Sequence, residues 1–431
     1  MIFCVKLKKS KISLMYTKIF HKEIHSTKAN AIRKNIPVIV CLCFIIWPLF
    51  SLPIILIEVY NRKRYAIYLL SLFMGMLAIL WAPTGDLYRH NMSYFNYIGE
   101  KDFELGLSQF DFVLHYLSWM FANNGINFEI IRFLFVLVSY LCIDWIFFDL
   151  IKKYELLNKY YHLCFVILFF NVNYFNITFG LRYGFGCVII GTGYYLIFHN
   201  YNKLGWLFAV FSVFIHYSLV FVLLILILGK FIKPKTKKLA YIGLLFFLIP
   251  STLFLETIIG FLPIGDVAKG ILMAYTSGYW SGEFLEERSL LYRIATFTWN
   301  IATYYVLFCF YTSKIKVRDD SMITLLVFLW CISSCSTELY SRITQVISIP
   351  LILWMVYNFA RKQNPVSHLK ILHTLLIFAF ICNAYSMRFV VYESRYSKLF
   401  FYSSWDILTE KYDKTWINRN VNYDGSLSKY F

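Results

Sequence analysis

The chain reads as an all-α polytopic membrane protein, with about 11–13 transmembrane or re-entrant helices around an outer-facing cavity. Three observations predict that class. Of 431 residues, 59% are hydrophobic and 15% charged, whereas soluble domains carry roughly 25% charged residues. The apolar residues fall in runs of about 18 to 25, the length that spans a hydrocarbon core of roughly 30 Å. The runs do not alternate between apolar and polar as barrel strands do.

The runs lie at about 36–57, 65–82, 128–151, 161–178, 181–198, 204–229, 239–259, 291–312, 321–337, 343–359 and 368–390. They define a single membrane domain, 36–390, with a basic N-terminal extension, 1–35, and a tail, 391–431, expected on the outer side. Residues 1–34 hold nine Lys/Arg against one acid, Glu23. No apolar segment there ends in a small-residue cleavage site, so the first hydrophobic segment is expected to be retained. The net charge of +18 sits in short clusters between runs: Arg62-Lys63-Arg64, Lys152-Lys153 with Lys159, the lysines of 230–238, the stretch 314–318, and Arg361-Lys362. That is the positive-inside pattern of cytoplasmic loops. It is not a basic stripe with interleaved aromatics, so nucleic acid is excluded as a partner. The remaining connectors then face outward, the longest being 83–127 and the second 260–290.

Two runs resist simple crossing. In 36–57, basic residues flank both ends and Pro48 and Pro53 interrupt the middle. A re-entrant hairpin and an outside N-terminus with a simple crossing both satisfy it. The run 204–229 lies between connectors that are both inside, so it must cross twice or not at all. Its 26 residues give about 39 Å of helix, too little for two full spans. A short hairpin turning near Ser212 to Ser218 follows, with His216 at its apex; one long tilted crossing is the alternative. Non-helical backbone at that depth is tolerated only against protein or a water-filled cavity. Within 83–127, residues 107–122 read as a short amphipathic helix at the interface.

Ten cysteines lie mostly inside apolar runs, with no C-x-x-C and no Cys/His ligand spacing, so neither disulfide, metal nor cofactor is expected. Polar residues at outer helix ends form the candidate list: Asp86, Tyr88, Arg89, His90, Asp111, Arg132, Arg182, His216, Glu256, Arg293, Glu338 and Arg342. Any single arginine there can be a snorkelling anchor. Arg89, Arg182, Arg293 and Arg342 together are harder to explain, because the outer side should be depleted of positive charge. Arginine forms bidentate, permanently charged pairs with phosphate. Four of them suit a lipid-linked pyrophosphate. Gly180 and Gly184 flank Arg182 at the spacing of close helix packing. Asp86, Asp111 and His216 are candidate general bases for an attacking sugar hydroxyl. Both aspartates also read as helix caps, and His216 equally as a donor to a phosphate oxygen or an interhelical bond.

These landmarks resemble those of the EpsG-like and Wzy-type O-antigen polymerases, over roughly residues 60 to 390. Gly85-Asp86-Leu87-Tyr88-Arg89 is similar to that family's Gly-x-Asp-Tyr-like motif. Phe110-Asp111-Phe112-Val113-Leu114 then precedes Phe128-Glu129-Ile130-Ile131-Arg132-Phe133. Gly180-Leu181-Arg182-Tyr183-Gly184 resembles the arginine before a small-residue helix, although Tyr183 stands where a glutamine often follows. Phe214-Ile215-His216-Tyr217-Ser218 is similar to a Phe-x-His-x-Ser motif, and Tyr340-Ser341-Arg342-Ile343 to the late arginine. The basic extension departs from the family pattern. The resemblance implies a metal- and nucleotide-independent glycosyltransferase of the bacterial inner membrane. It would join undecaprenyl-diphosphate-linked repeat units into O-antigen or a related polysaccharide at the outer face, with a chain-length regulator protein as a partner. Arg89, Arg182, Arg293, Arg342, Tyr88 and Tyr340 would bind substrate. A flippase for lipid-linked oligosaccharide and an O-antigen ligase are the alternatives. Internal repeats, the usual signature of a transporter, are not seen.

Overall fold

The computed structural model describes residues 27–103, 112–198, 202–234, 236–248, 290–313, 321–334 and 336–429, together with 260, 269, 270 and 273. Among these the fold is helical throughout, with one isolated bridge between Val421 and Leu427. Five helices are long and apolar enough to cross a membrane: Phe128–Lys153, Tyr161–Phe179, Leu181–Phe198, Glu338–Ala360 and Val366–Ser386. Shorter apolar helices match most of the other predicted spans, among them Pro48–Tyr60, Arg64–Leu80, Ile301–Thr312 and Ser321–Ser333, while the described part of 239–259 is a short helix, Lys238–Gly243, followed by a 3-10 stretch, Leu244–Leu248. A 13-residue helix such as Pro48–Tyr60 measures only about 20 Å. The apolar run 36–57 breaks at Trp47, directly before Pro48, which occupies the first turn of the next helix. Proline costs least there, because that N–H has no intrahelical partner. The run 291–312 likewise breaks at Asn300.

The two ends of the bundle differ in chemistry. At one end Arg62 donates to Asn158 at 3.5 Å and lies 5.0 Å over the Tyr161 ring. Tyr154 and Tyr160 there pack on Tyr357 and Phe359, next to Arg361. Three of the predicted basic clusters therefore converge on this basic end. The opposite end collects Asp86, Arg182, His216 and Arg342.

The 202–231 segment is a hairpin. Its first arm, Asn202–Ile215, runs back along Leu181–Phe198: a Cβ on Gly193 would meet Gly205 O at 3.0 Å, and a Cβ on Gly205 would meet Gly193 O at 3.0 Å. The apex at Ile215, His216 and Leu219 lies against Gly186, near the opposite end. The second arm, Val220–Phe231, returns, with Gly229 against Met322 and Leu325. The tight helix–helix approach is thus made by Gly193 and Gly205. The expected Gly180/Gly184 pair instead lets the chain fold onto its own preceding helix, since a Cβ on Gly184 would sit 2.6 Å from Asn176 O. In lipid, apolar contact alone does not drive helices together, so such close backbone approach matters more than in water.

The Arg64–Leu80 helix ends in a buried polar staple. Arg132 is fully buried and donates to Trp81 O at 2.7 Å and Ile79 O at 2.9 Å. Tyr412 donates to Leu80 O at 2.7 Å, and Ala82 N donates to Ser394 Oγ at 2.9 Å. Glu129, 3.5 Å from Arg132, accepts from Tyr412 N at 3.1 Å. These bonds satisfy carbonyls that the helix end leaves without intrahelical partners. They also fasten the tail, which packs over this end of the bundle. Arg132→Met should lower stability by about 3–5 kcal/mol, because Glu129 is left buried and unpaired. Tyr412→Phe should cost about 1 kcal/mol. Thermal unfolding in detergent gives this ranking, and equal losses from both would contradict the staple.

Candidate functional site

The staple determines where Asp86 goes. Beyond it the chain turns at Gly85, which has φ +60°, a region that a side chain rarely enters. Gly85 N donates to Gly425 O at 2.8 Å. A Cβ on Gly425, itself at φ +87°, would lie 2.8–2.9 Å from the Gly85 backbone. Two glycines thus press tail and turn together. The turn opens the Asp86–Asn96 helix with Asp86 in its first turn, where the helix dipole favours a carboxylate.

Asp86 Oδ2 accepts from His90 Nε2 at 3.2 Å and lies 3.9 Å from Arg182 Nη2. Burial works to raise its carboxyl, but the bonded His90 and the nearby Arg182 and Arg89 outweigh that. They hold it well below the usual carboxylate range. An ionised carboxylate only accepts, so His90 must carry its proton on Nε2. In the neutral ring with that tautomer, Nδ1 is the acceptor. This is the Asp–His arrangement that orients an imidazole for proton removal. Asp86 is bonded to His90 at 3.2 Å and faces Arg182 at 3.9 Å, so it orients the His90 ring.

His216 caps the short turn Tyr217–Leu219 at the hairpin apex. It is 5% exposed. Its Nδ1 accepts from Ser218 N at 3.3 Å and pairs with Ser218 Oγ at 2.8 Å. A backbone N–H can only donate, so the neutral ring keeps its hydrogen on Nε2. His216 is therefore set to donate, as to a phosphate oxygen. Its ring meets Tyr183 edge-on at 5.1 Å, and Arg342 lies 5.5 Å over the same Tyr183 ring. Tyr183 Oη donates to Arg342 O. Arg342 Nε donates to Glu338 Oε1 at 2.8 Å. Arg342, Arg182, Asp86 and His90 all act electrostatically on His216.

Six expected residues therefore meet: Asp86, His90, Arg182, His216, Glu338 and Arg342. Arg89 is exposed beside them. Tyr88 packs on the tail cluster of Ala82, Tyr412 and Ile417, and Tyr340 packs on Trp330 at 5.3 Å. Both read as structural. Asp111, Glu256 and the side chain of Arg293 lie outside the described residues. Arg132 belongs to the staple. Tyr183 and His115 complete the site. The i, i+4 spacing of Asp86 to His90 and of Glu338 to Arg342 was a signal for those two pairs. His115 carried none. It pairs with Tyr97 Oη at 2.9 Å, and burial, with Arg182 and His90 nearby, lowers it from 6.5 to about 4.

Among the described residues no three His, Cys, Asp or Glu side chains come close enough to hold a metal ion. The cluster is better suited to an anion. Arg182 and Arg342 are 21% and 26% exposed. Each guanidinium presents its five donors in a fixed fork that matches phosphate geometry. Comparison with known protein families, curated proteins and solved structures finds no match.

Folding keeps His115 neutral, so its contribution to stability is full above about pH 6.5 and is lost as pH falls toward about 4. His115→Gln should flatten that part of the stability–pH profile in detergent melts. An unchanged profile would place His115 in water.

Proposed function

We propose that the chain is a lipid-linked glycan polymerase of the bacterial inner membrane, joining undecaprenyl-diphosphate-linked repeat units into O-antigen or a related polysaccharide at the outer face. The observation that carries this reading is the meeting of Arg182, Arg342 and His216 with the Asp86–His90 pair at the end of the bundle away from the basic connectors. By the positive-inside rule that end faces outward, and the space beside it is the proposed outer cavity. Arg182 and Arg342 would hold the donor diphosphate, and His216 Nε2 would donate to one of its oxygens. As the bond from the anomeric carbon to phosphate oxygen breaks, the diphosphate leaves with the electron pair. The acceptor hydroxyl oxygen bonds to that carbon, and its proton passes to His90 Nδ1. Fixed cations at the developing diphosphate charge are the main source of rate here.

A lipid-linked oligosaccharide transporter is the second reading. Asp144, 1% exposed within the Phe128–Lys153 helix, accepts from Ser71 Oγ at 2.5 Å, and carboxyls at membrane depth often serve transport. Deletion of the gene separates the two. A polymerase leaves a single repeat unit on the lipid A core, and a transporter or a ligase leaves none. Arg182→Ala and Arg342→Ala should keep protein level and reduce chain extension by about 10²-fold or more. Normal long chains from both variants would end the diphosphate role.

A further inference from the structure

Directly beside the arginines lies a cavity of different character. It has a volume of about 60 Å³, room for roughly four to six waters at about 10–15 Å³ each. Its polar wall is mostly carboxamide, Asn171, Asn173, Asn176, Asn300, Asn383 and Gln345, with the Thr303 and Ser348 hydroxyls. Among the described residues no charged side chain lines it. A buried amide left without a partner costs about 1–3 kcal/mol, so a wall of amides in a membrane domain needs an explanation.

Packing explains only part of it. Asn173 Oδ1 caps Asn176 N at 3.0 Å, and Asn176 Nδ2 donates to Gln345 Oε1 at 2.7 Å. Asn171 Oδ1 accepts from Ser348 Oγ at 3.0 Å. Asn171 Nδ2 is buried and has no hydrogen-bond partner, in a residue only 6% exposed. Aromatic rings line it as well: Phe380 meets Phe170 at 5.0 Å and Phe175 at 5.3 Å. The cavity is tied to the charged site by sequence neighbours. Gln345 lies one turn beyond Arg342 on the Thr337–Ala360 helix, and Gly184 lies two residues beyond Arg182.

We propose that this cavity binds the hydroxyl-bearing face of a neutral sugar. Amides exchange donors and acceptors with hydroxyls, and aromatic faces cover the apolar C–H side of a sugar ring. A wall whose described residues carry no charge disfavours phosphate, carboxylate or amine. Resting on the glycan-transfer reading, the occupant is the sugar next to the diphosphate: the arginines take the charged part and the amides the neutral part.

The test uses the full chain in lipid nanodiscs and saturation-transfer NMR with methyl glucoside and methyl N-acetylglucosaminide, each at about 10 mM to cover a millimolar Kd. Both should receive saturation. The signal should fall at least about fivefold in Asn171→Leu and in the isosteric Thr303→Val, which removes a hydroxyl from the same wall. It should survive in Arg342→Ala and on addition of inorganic pyrophosphate. Methyl glucuronide, which carries a carboxylate, should receive little. No transfer in the wild-type protein overturns the proposal. So does transfer that both Asn171→Leu and Thr303→Val leave unchanged, or equal transfer to the glucuronide; water alone would then fill the cavity. Sugar binding that persists while arginine variants still extend chains would refute the diphosphate role and leave this cavity standing.

Discussion

The structure depends on one guanidinium in a place that should repel it. Arg132 sits fully buried in an apolar bundle, tolerable only because Ile79 O, Trp81 O and Glu129 receive it. The same carbonyls would otherwise be stranded at a helix end in a medium without water. Two costs therefore offset each other. The result is a fixed exit point for the chain after the Arg64–Leu80 helix, and from it follow the Gly85 turn, the direction of the Asp86–Asn96 helix and the seat of the tail. The ring of charged groups is assembled on that frame.

Within the ring, charge is balanced rather than accumulated. Each central arginine faces a carboxylate, Asp86 for Arg182 and Glu338 for Arg342. The closer contact is Arg342 to Glu338 at 2.8 Å; Arg182 to Asp86 at 3.9 Å is an ion contact beyond hydrogen-bond range. Partial exposure weakens both by solvent screening. An incoming anion would meet cations held in place. The amide cavity next to them has the complementary property: it recognises without charge. A phosphorylated sugar presents both kinds of surface within a few bonds.

Much of this was legible in the chain. Basic connectors named one end of the bundle through long-range electrostatics, which depend on composition and little on detail. The parity of those connectors, with helix rise per residue, put His216 at the tip of a hairpin, and the apex is found against Gly186. Arg182 and Arg342 stood out because arginine is scarce on the outer side. Other parts were silent. His115 joins the site through a fold that brings the Phe112–Asn123 helix beside Tyr97, and no local pattern encodes that. Arg132 looked like its fellow arginines, yet serves helix capping, because what separates a ligand-binding guanidinium from a structural one is which carbonyls happen to lie within reach.

Sequence alone determined the all-helical membrane class, the basic end and the set of polar residues at helix ends, since these follow from hydropathy, charge placement and period, which are properties of short segments. Only the tertiary structure decided which of those residues share a site, that Asp86 faces Arg182, that the tail closes over the Gly85 turn, and that the amides of four separate helical regions face one cavity. Those outcomes rest on contacts between residues dozens to hundreds of positions apart, made at distances where a single glycine or one buried carbonyl changes the answer.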